Sequence, residues 1–438
     1  KILMLIFILI NIDYICYGNN KNLLPYLFII LSSLLYMCFL LDFCLSFLNL
    51  LHLETDNFIT YLSSLLLTSS NDNIKIKKRM SEYQDVTLEE VKKEFENLKR
   101  NFNPSDLNVN PEKFKSFING LYQAEGVTSH FFRNEGNWWF KSQFSIGQNY
   151  TTESAKVLLF LQHQFEGAGY FKIELTSTGN KHIKYVISDR LFILTKVIPY
   201  LSEIYGQKRF DLNKFERIFK INGELTNNYD PNLVYQLIHL IYSTNPDGNF
   251  RKFTLNEKLN KLNINNVNFS NLDLSIYQKE NSNLPNIFFI LGLFLGDGSI
   301  YCSLEHSKSI GINPRITIDV AILKKHDWSI NLLKLIAISL DLPENIIKNN
   351  RLVTLKYRDS KSLEKILKLF LENTDYLFWK KSDIFIILKL FNLKKDKAHL
   401  NKKGLTDIVN LIYDLPNNYK QSQMYWLDLI IKLYEKKI

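Results

Sequence analysis

The sequence is poor in cysteine, proline and glycine, with four, ten and sixteen of them in 438 residues. Three cysteines, Cys16, Cys38 and Cys44, lie in an apolar first stretch, and Cys302 stands alone in the rest. No CxxC pair occurs, which argues against a zinc finger or knuckle and leaves no disulfide framework. Alanine is also sparse, whereas Asn, Lys, Ile, Leu, Phe and Tyr abound. The favoured residues have AT-rich codons, which hints at an AT-rich genome such as an organelle's. Acidic residues are in deficit, 44 against 54 basic ones, for a net charge of +10. Residues 1–70 hold only Lys1 and Lys21 against Asp13, Asp42, Glu54 and Asp56, so the remainder is more basic still. A basic body suits a polyanion, nucleic acid ahead of an anionic membrane, although charge alone also fits an ordinary basic surface.

The chain exceeds the usual single-domain length, so two or three units are expected. Residues 23–41, "LLPYLFIILSSLLYMCFLL", are uncharged and long enough to span a bilayer as a helix. Apolar runs at 2–10 and 43–53 flank them. One or two transmembrane helices are expected in 1–70, with a buried core helix as the alternative; a cleaved signal peptide would be shorter. Residues 71–111 are a polar linker in which "DVTLEEVKKEFENLKR" predicts a short helix capped by Thr87 and Glu90. An Asn-rich linker, 246–285, separates compact units at 112–245 and 286–435.

Those units repeat at an offset of 172 residues. Gly120, Leu121, Glu125 and Gly126 fall on Gly292, Leu293, Asp297 and Gly298. "QFSI" (143–146) falls on "RITI" (315–318), Lys184-Tyr185 on Lys356-Tyr357, Ser188 on Ser360, Lys208 on Lys380, and Asp211 on Asp383. This predicts a duplicated unit with a pseudo-twofold axis. In each, an apolar helix ends in an acid. Alternating strand patterns follow (137–148; 314–322), then a helix (154–165; 328–340), further strands and a last helix (190–201; 361–372). The second pair of strands is clear in the first unit and weak in the second, around 351–359. The fold class is α+β, with helices on one face of an antiparallel sheet.

Gly120 and Ala124, and Gly292 and Gly296, are small residues four apart, which lets two helix backbones approach closely. Packed about a twofold axis, the helices bring Glu125 and Asp297 together at one end. Two hard carboxylates repel unless a cation lies between them, and Mg²⁺ is the natural occupant because it also bridges phosphates. Metal held there can activate water and neutralise a leaving phosphodiester oxygen. One copy alone reads as a helix stop, since Gly is common just past a helix end. An acid in the last turn opposes the helix dipole, however, and the misfit occurs twice at matched positions.

"INGLYQAEG" (118–126) and "ILGLFLGDG" (290–298) resemble the motif of the LAGLIDADG homing endonucleases in their double-motif form. The resemblance covers about 112–435. It implies two pseudo-symmetric αββαββα units whose sheets form a saddle over the DNA major groove. Their motif helices would share the pseudo-dyad, and their acids would bind divalent metal, Mg²⁺ or Mn²⁺. Both strands would then be cut across the minor groove to leave short 3′ overhangs. By position Glu125 and Asp297 are the metal ligands and catalytic acids. Gln148, closing "FSIGQ", resembles a residue that arranges the water network, but its counterpart at the same offset is Val320, a departure that suggests unequal half-sites. Lys208 and Lys380 stand where the family has a basic residue near the metal and its waters. Lys141, Gln143, Lys184, Arg315 and Lys356 are the expected groove contacts; Arg and Gln can read bases, and Lys can rest on phosphate. Trp138 and Trp139 are expected in the sheet–helix core, and His130 and His306 receive no role.

The first expectation is therefore a monomeric, intron-encoded, mitochondrial enzyme that hydrolyses double-stranded DNA at a specific site. The second is a maturase that binds its own intron RNA and assists splicing, with or without cleavage. A third takes residues 1–70 at face value, as a membrane protein carrying a nucleic-acid-binding domain. The first accounts for that segment as an in-frame upstream exon, placed in the inner membrane until processed.

Overall fold

The computed structural model describes residues 86–435 apart from 135–137, 177–178, 226–229, 245–252, 263, 265–273, 280, 308–310, 324–326 and 417–418. All belong to one compact unit, Ile76–Ile438. The expected membrane helices of 1–70 lie outside the described residues. Among the described helices, none is long and apolar enough to cross a membrane.

The first described helix, Leu88–Asn101, begins as its sequence dictates. The Thr87 hydroxyl accepts from the Glu90 amide, and the Glu90 carboxylate accepts from the Thr87 amide, closing a capping box. Two α+β modules follow. The first runs through helix Pro111–Glu125, β1 (Gly126–Asn134), β2 (Trp138–Asn149), helix Thr152–Gln164, β3 (Tyr170–Leu175), β4 (Lys181–Ile187) and a helical run, Arg190–Phe192, Ile193–Val197 and Ile198–Tyr200, whose middle turn is π-type. The second runs through helix Ile287–Asp297, β5 (Gly298–Ser307), β6 (Gly311–Leu323), helix Asp327–Ser339, β7 (Ile346–Lys348), β8 (Leu352–Tyr357) and helix Ser360–Glu372. The sheets are ordered β1-β2-β4-β3 and β5-β6-β8-β7, antiparallel at every described pairing. The αββαββα order and the α+β class are thus observed.

Alternation along the strands sorts side chains onto two faces. Phe144 and Ile146 on β2 and Ile183, Tyr185 and Ile187 on β4 are buried among the helices. Ile316, Ile318 and Val320 on β6 and Val353, Leu355 and Tyr357 on β8 do the same in the second sheet. The opposite face of each sheet carries the polar residues. The side chains of Trp138 and Trp139, expected in the core, lie outside the described ones.

The repeat is close but not uniform. Ile146 pairs with Tyr185 and Ile318 with Tyr357, in agreement with the 172-residue offset. The first hairpins differ: Gly126 pairs with Ile146, but Gly298 pairs with Val320, two residues further along. A slip of two keeps every side chain on its face, so the fold tolerates it.

Further helices extend both modules. Gly206–Leu225, Pro231–Ser243 and Leu255–Lys261 follow the first, the last of them inside a stretch expected to be linker. Thr254 and Glu257 form another capping box there, a signal the Asn-rich composition conceals. Lys381–Lys395, Lys402–Ile412 and Gln423–Glu435 follow the second.

Candidate active site at the helix ends

Each of the two motif helices starts on an asparagine, Asn110 or Asn286, whose side chain accepts from backbone amides of the first turn. Their flanks press together through glycine. A methyl built on Gly120 would lie 1.9 Å from the Phe289 carbonyl oxygen, and one built on Gly292 would lie 1.9 Å from that of Phe117. Phe117 and Phe289 are themselves 172 residues apart, so the contact is reciprocal about the axis. Further along, a methyl on Gly296 would meet the Ala124 Cβ at 2.3 Å and the Glu125 Cγ at 3.1 Å. The four small residues thus sit at the helix–helix contact, and Glu125 comes down beside the partner helix at the residue before Asp297.

Gly126 and Gly298 are not left-handed helix stops. Both are extended, with φ −72° and −83°. What requires glycine is the aromatic ring four residues earlier: a methyl would lie 1.9 Å from Cδ2 of Tyr122 and 2.2 Å from Cδ2 of Phe294. The ring folds over the helix end and the chain passes straight into β1 or β5.

The helix ends meet buried cations. Lys208 donates from Nζ to the carbonyls of Tyr122 (2.8 Å) and Ala124 (2.9 Å). Lys380 donates to the carbonyls of Phe294 (2.8 Å) and Gly298. Each ammonium therefore satisfies the terminal carbonyls where the helix dipole is negative, and offsets the acid placed there. Burial lowers the pKa of both lysines to about 8, against the raising influence of Glu125 and Asp297 on each. The carboxylates shift the other way. Burial, then the neighbouring Asp297, raises Glu125, while Lys208, Lys380 and Gln148 lower it. Burial raises Asp297, and the same two lysines lower it. Two acids and two lysines from four distant parts of the sequence thus act on one another.

Gln148 belongs to this cluster. It is 8% exposed and its amide favours the ionised form of Glu125. That influence is a hydrogen bond from Nε2 to the Glu125 carboxylate, longer or more bent than an ordinary one, and Nε2 has no other partner among the described residues. This buried donor beside a carboxylate is the mark of a place built for a further oxygen atom. Among the described residues no group of three or more His, Cys, Asp and Glu forms a metal cage. Two half-buried carboxylates still fit Mg²⁺, which keeps waters and takes phosphate oxygens instead of a full protein cage. Glu125 and Asp297 are the residues that would hold it.

Similarity searches against family models and against curated proteins return no match. Solved structures do match. I-SmaMI bound to uncleaved DNA target in the presence of calcium ions is 20% identical over 69% of this chain and 99% of that one, with a TM-score of 0.57. I-LtrWI, described as a LAGLIDADG homing endonuclease bound to target DNA, is 20% identical over 72% of this chain and 100% of that one, with a TM-score of 0.57. I-SmaMI bound to cleaved DNA, with the same family description, matches at 19% identity and a TM-score of 0.54 over 68% and 95%. The chain has the LAGLIDADG homing endonuclease fold.

In that fold the remaining expected residues take definite places. Lys141, Gln143, Lys184, Arg315 and Lys356 all project, by strand alternation, from the sheet faces opposite the helices. Gln143 Nε2 donates to the Tyr170 hydroxyl (3.3 Å) and the Ser188 hydroxyl (3.1 Å). Lys184 lies 3.6 Å from Glu174, and Arg315 2.7 Å from Glu305, both at exposed sites. Lys356 is more enclosed, against Tyr301 and Asp319. Val320, the offset counterpart of Gln148, is a core residue; by hairpin pairing the equivalent of Gln148 is Ile322, so the amide is missing from the second half either way. His130 is structural: its Nδ1 meets the Ser142 hydroxyl at 2.7 Å and its ring packs on Phe215. His306 is exposed.

Several residues around the joined helix ends carry no obvious sequence signal. Asn119, inside the first motif, is fully buried and ties Lys115 and Tyr200 carbonyls to the Glu203 amide. Gln123 accepts from the Tyr205 amide (2.9 Å), so the two polar motif residues fix the segment that leads to Lys208. Asp211 and Asp383, three residues past each lysine, help keep those lysines charged. Their match at the repeat offset was the only trace in the sequence.

Proposed function

We propose that this chain is a site-specific, divalent-metal-dependent endonuclease acting on double-stranded DNA as a monomer. The observation that carries the reading is the meeting of Glu125 and Asp297 with Lys208 and Lys380 at the joined ends of two pseudo-equivalent helices. The DNA complexes of I-SmaMI and I-LtrWI support it by fold, as does the excess of basic residues. A bound Mg²⁺ or Mn²⁺ would supply Lewis acidity at the scissile phosphates and a more acidic water. The protein's own part is positioning. Gly120 and Gly292 fix the distance between the two acids, and Lys208 and Lys380 keep positive charge where phosphate oxygens gather negative charge. Gln148 offers its Nε2 to an oxygen on the first side only, so the two strands are cut at unequal rates. Polar residues of the open sheet faces, Lys141, Gln143, Lys184, Arg315 and Lys356 among them, hold the duplex so that cutting falls across the minor groove. The AT-rich codon usage supports an organellar, intron-encoded origin, in which residues 1–70 are exon-derived.

The test is cleavage of the intronless host junction by the full chain with Mg²⁺, comparing wild type with Glu125→Gln and Asp297→Asn. Cutting by wild type and its loss in both variants is the expected result. Undiminished cutting by both variants would remove the assigned roles.

A further inference from the structure

Lys356 differs from the other lysines of the sheet faces in being held from two sides. Its Nζ donates to the Tyr301 hydroxyl at 2.9 Å and stands 3.5 Å from Asp319 Oδ2, with its side chain only 17% exposed. Tyr301, Asp319 and Lys356 come from three strands, β5, β6 and β8. They share the open face because Asp319 pairs with both Ser299 and Lys356, and Tyr301 lies two residues past Ser299. Thr317, directly across from Tyr301 on that face, is fully buried, and its hydroxyl has no hydrogen-bond partner among the described residues. The cluster also lies at the end of the sheet nearest the axis, since Asp319 is next to Val320, the partner of Gly298, and acts electrostatically on Lys380.

Nothing in the fold demands this arrangement. At the same offset the first sheet has Ser129, Gly147 and Lys184. The ring of His182 lies over Gly147, where a methyl would be 2.3 Å from its Cε1. Lys184 has a looser partner among the described residues, Glu174, at 3.6 Å, and is twice as exposed as Lys356. A lysine already immobilised loses little further rotamer freedom when it meets a base, and its direction is set in advance. A flexible, exposed lysine suits a phosphate, which accepts from many directions.

Resting on the endonuclease reading, we infer that Lys356 is a fixed reader of a guanine edge (O6 and N7) in the axis-proximal part of the second half-site. Asp319 and Tyr301 are its positioning residues, and Lys184 is its phosphate-bound counterpart in the first half. Guanine offers two acceptors in the major groove, the match for an ammonium with no acceptor capacity.

The test is selection of bound duplexes from a randomised pool by the full chain in calcium, with the base preference read at each position for wild type, Asp319→Asn, Tyr301→Phe, Lys356→Met and Lys356→Arg. The inference expects one guanine, on one side of the centre, to fall from a preference of tenfold or more to about threefold or less in the first three variants. All other positions stay unchanged, and Lys356→Arg retains the guanine. Lys184→Met should instead weaken all sequences alike and lower the salt dependence of binding. A selective wild type whose profile is unaltered in Lys356→Met and Asp319→Asn overturns this inference and leaves the endonuclease reading standing. So does a loss spread evenly over every position, the sign of a merely structural pair. A wild type that selects no sequence at all overturns the endonuclease reading and this inference together.

Discussion

Replacing Gly120 with alanine tests the geometry on which the site depends. The added methyl would stand 1.9 Å from the Phe289 carbonyl oxygen and 2.8 Å from the Leu293 amide nitrogen, where ordinary contact begins at 3.4 Å. Both neighbours are backbone, so no side-chain rotation relieves the overlap. The helices must separate by roughly 1.5 Å along that direction in an interior packed to crystal density. Overpacking a well-filled core costs about 1–3 kcal/mol, and a clash with backbone belongs at or beyond the top of that range. The same displacement carries Glu125 away from Asp297, and a misplacement of about 1 Å can lower a rate roughly a hundredfold. Equilibrium urea unfolding should therefore show a loss of about 3 kcal/mol or more, and single-turnover cleavage a fall of two orders or so. Gly223→Ala is the matched control. It lies in the Gly206–Leu225 helix, and its methyl would approach only the Arg190 guanidinium, at 3.9 Å. Helix propensity then predicts a gain of up to ~1 kcal/mol. A Gly120→Ala protein as stable as wild type, or a Gly223→Ala protein destabilised as much, would refute the reasoning.

Three other outcomes are expected. Glu125→Gln and Asp297→Asn each remove a charge whose burial is unfavourable, so without metal both variants should unfold at higher urea than wild type while cutting is lost. Mg²⁺ at ten times its dissociation constant should stabilise wild type by about 1.4 kcal/mol, and a Glu125→Gln/Asp297→Asn double variant not at all, as read by thermal melts. Lys208 and Lys380 titrate at about 8 when folded and near the ordinary lysine value, about 10.4, when unfolded. Between those values the unfolded chain holds more protons, so stability rises with pH across that window. Cleavage should fall over the same range as the two cations are lost, and replacing both lysines with Met should flatten the stability rise in a pH series of melts.

The repeat, the axis and the class of fold were legible because they rest on residues whose type is forced. Only glycine fits at 120 and 292, and the acids at 125 and 297 recur at the same offset. The strands that open each module were harder. β1, "GVTSHFFRN", and β5, "GSIYCSLEHS", begin at the motif glycines and alternate weakly, so neither stood out from the helix before it. β7 is three residues long and pairs only with β8, too short for any period to show. The helix Leu255–Lys261 was hidden by asparagine-rich surroundings. Asp319 was invisible for another reason. Its partners Tyr301 and Lys356 lie 18 and 37 positions away, and the two-residue slip that brings it opposite Ser299 leaves no mark on composition or spacing.

That slip between the first hairpins has a consequence of its own. The join between the motif helices cannot drift, because any added atom at Gly120 or Gly292 strikes main chain. The arms have already drifted, by two whole residues of pairing, and kept their faces. On the endonuclease reading, where the duplex is cut and which duplex is chosen are therefore stored in separable parts. An engineer could regraft one arm without retuning the other, and a palindromic target would match one arm at most.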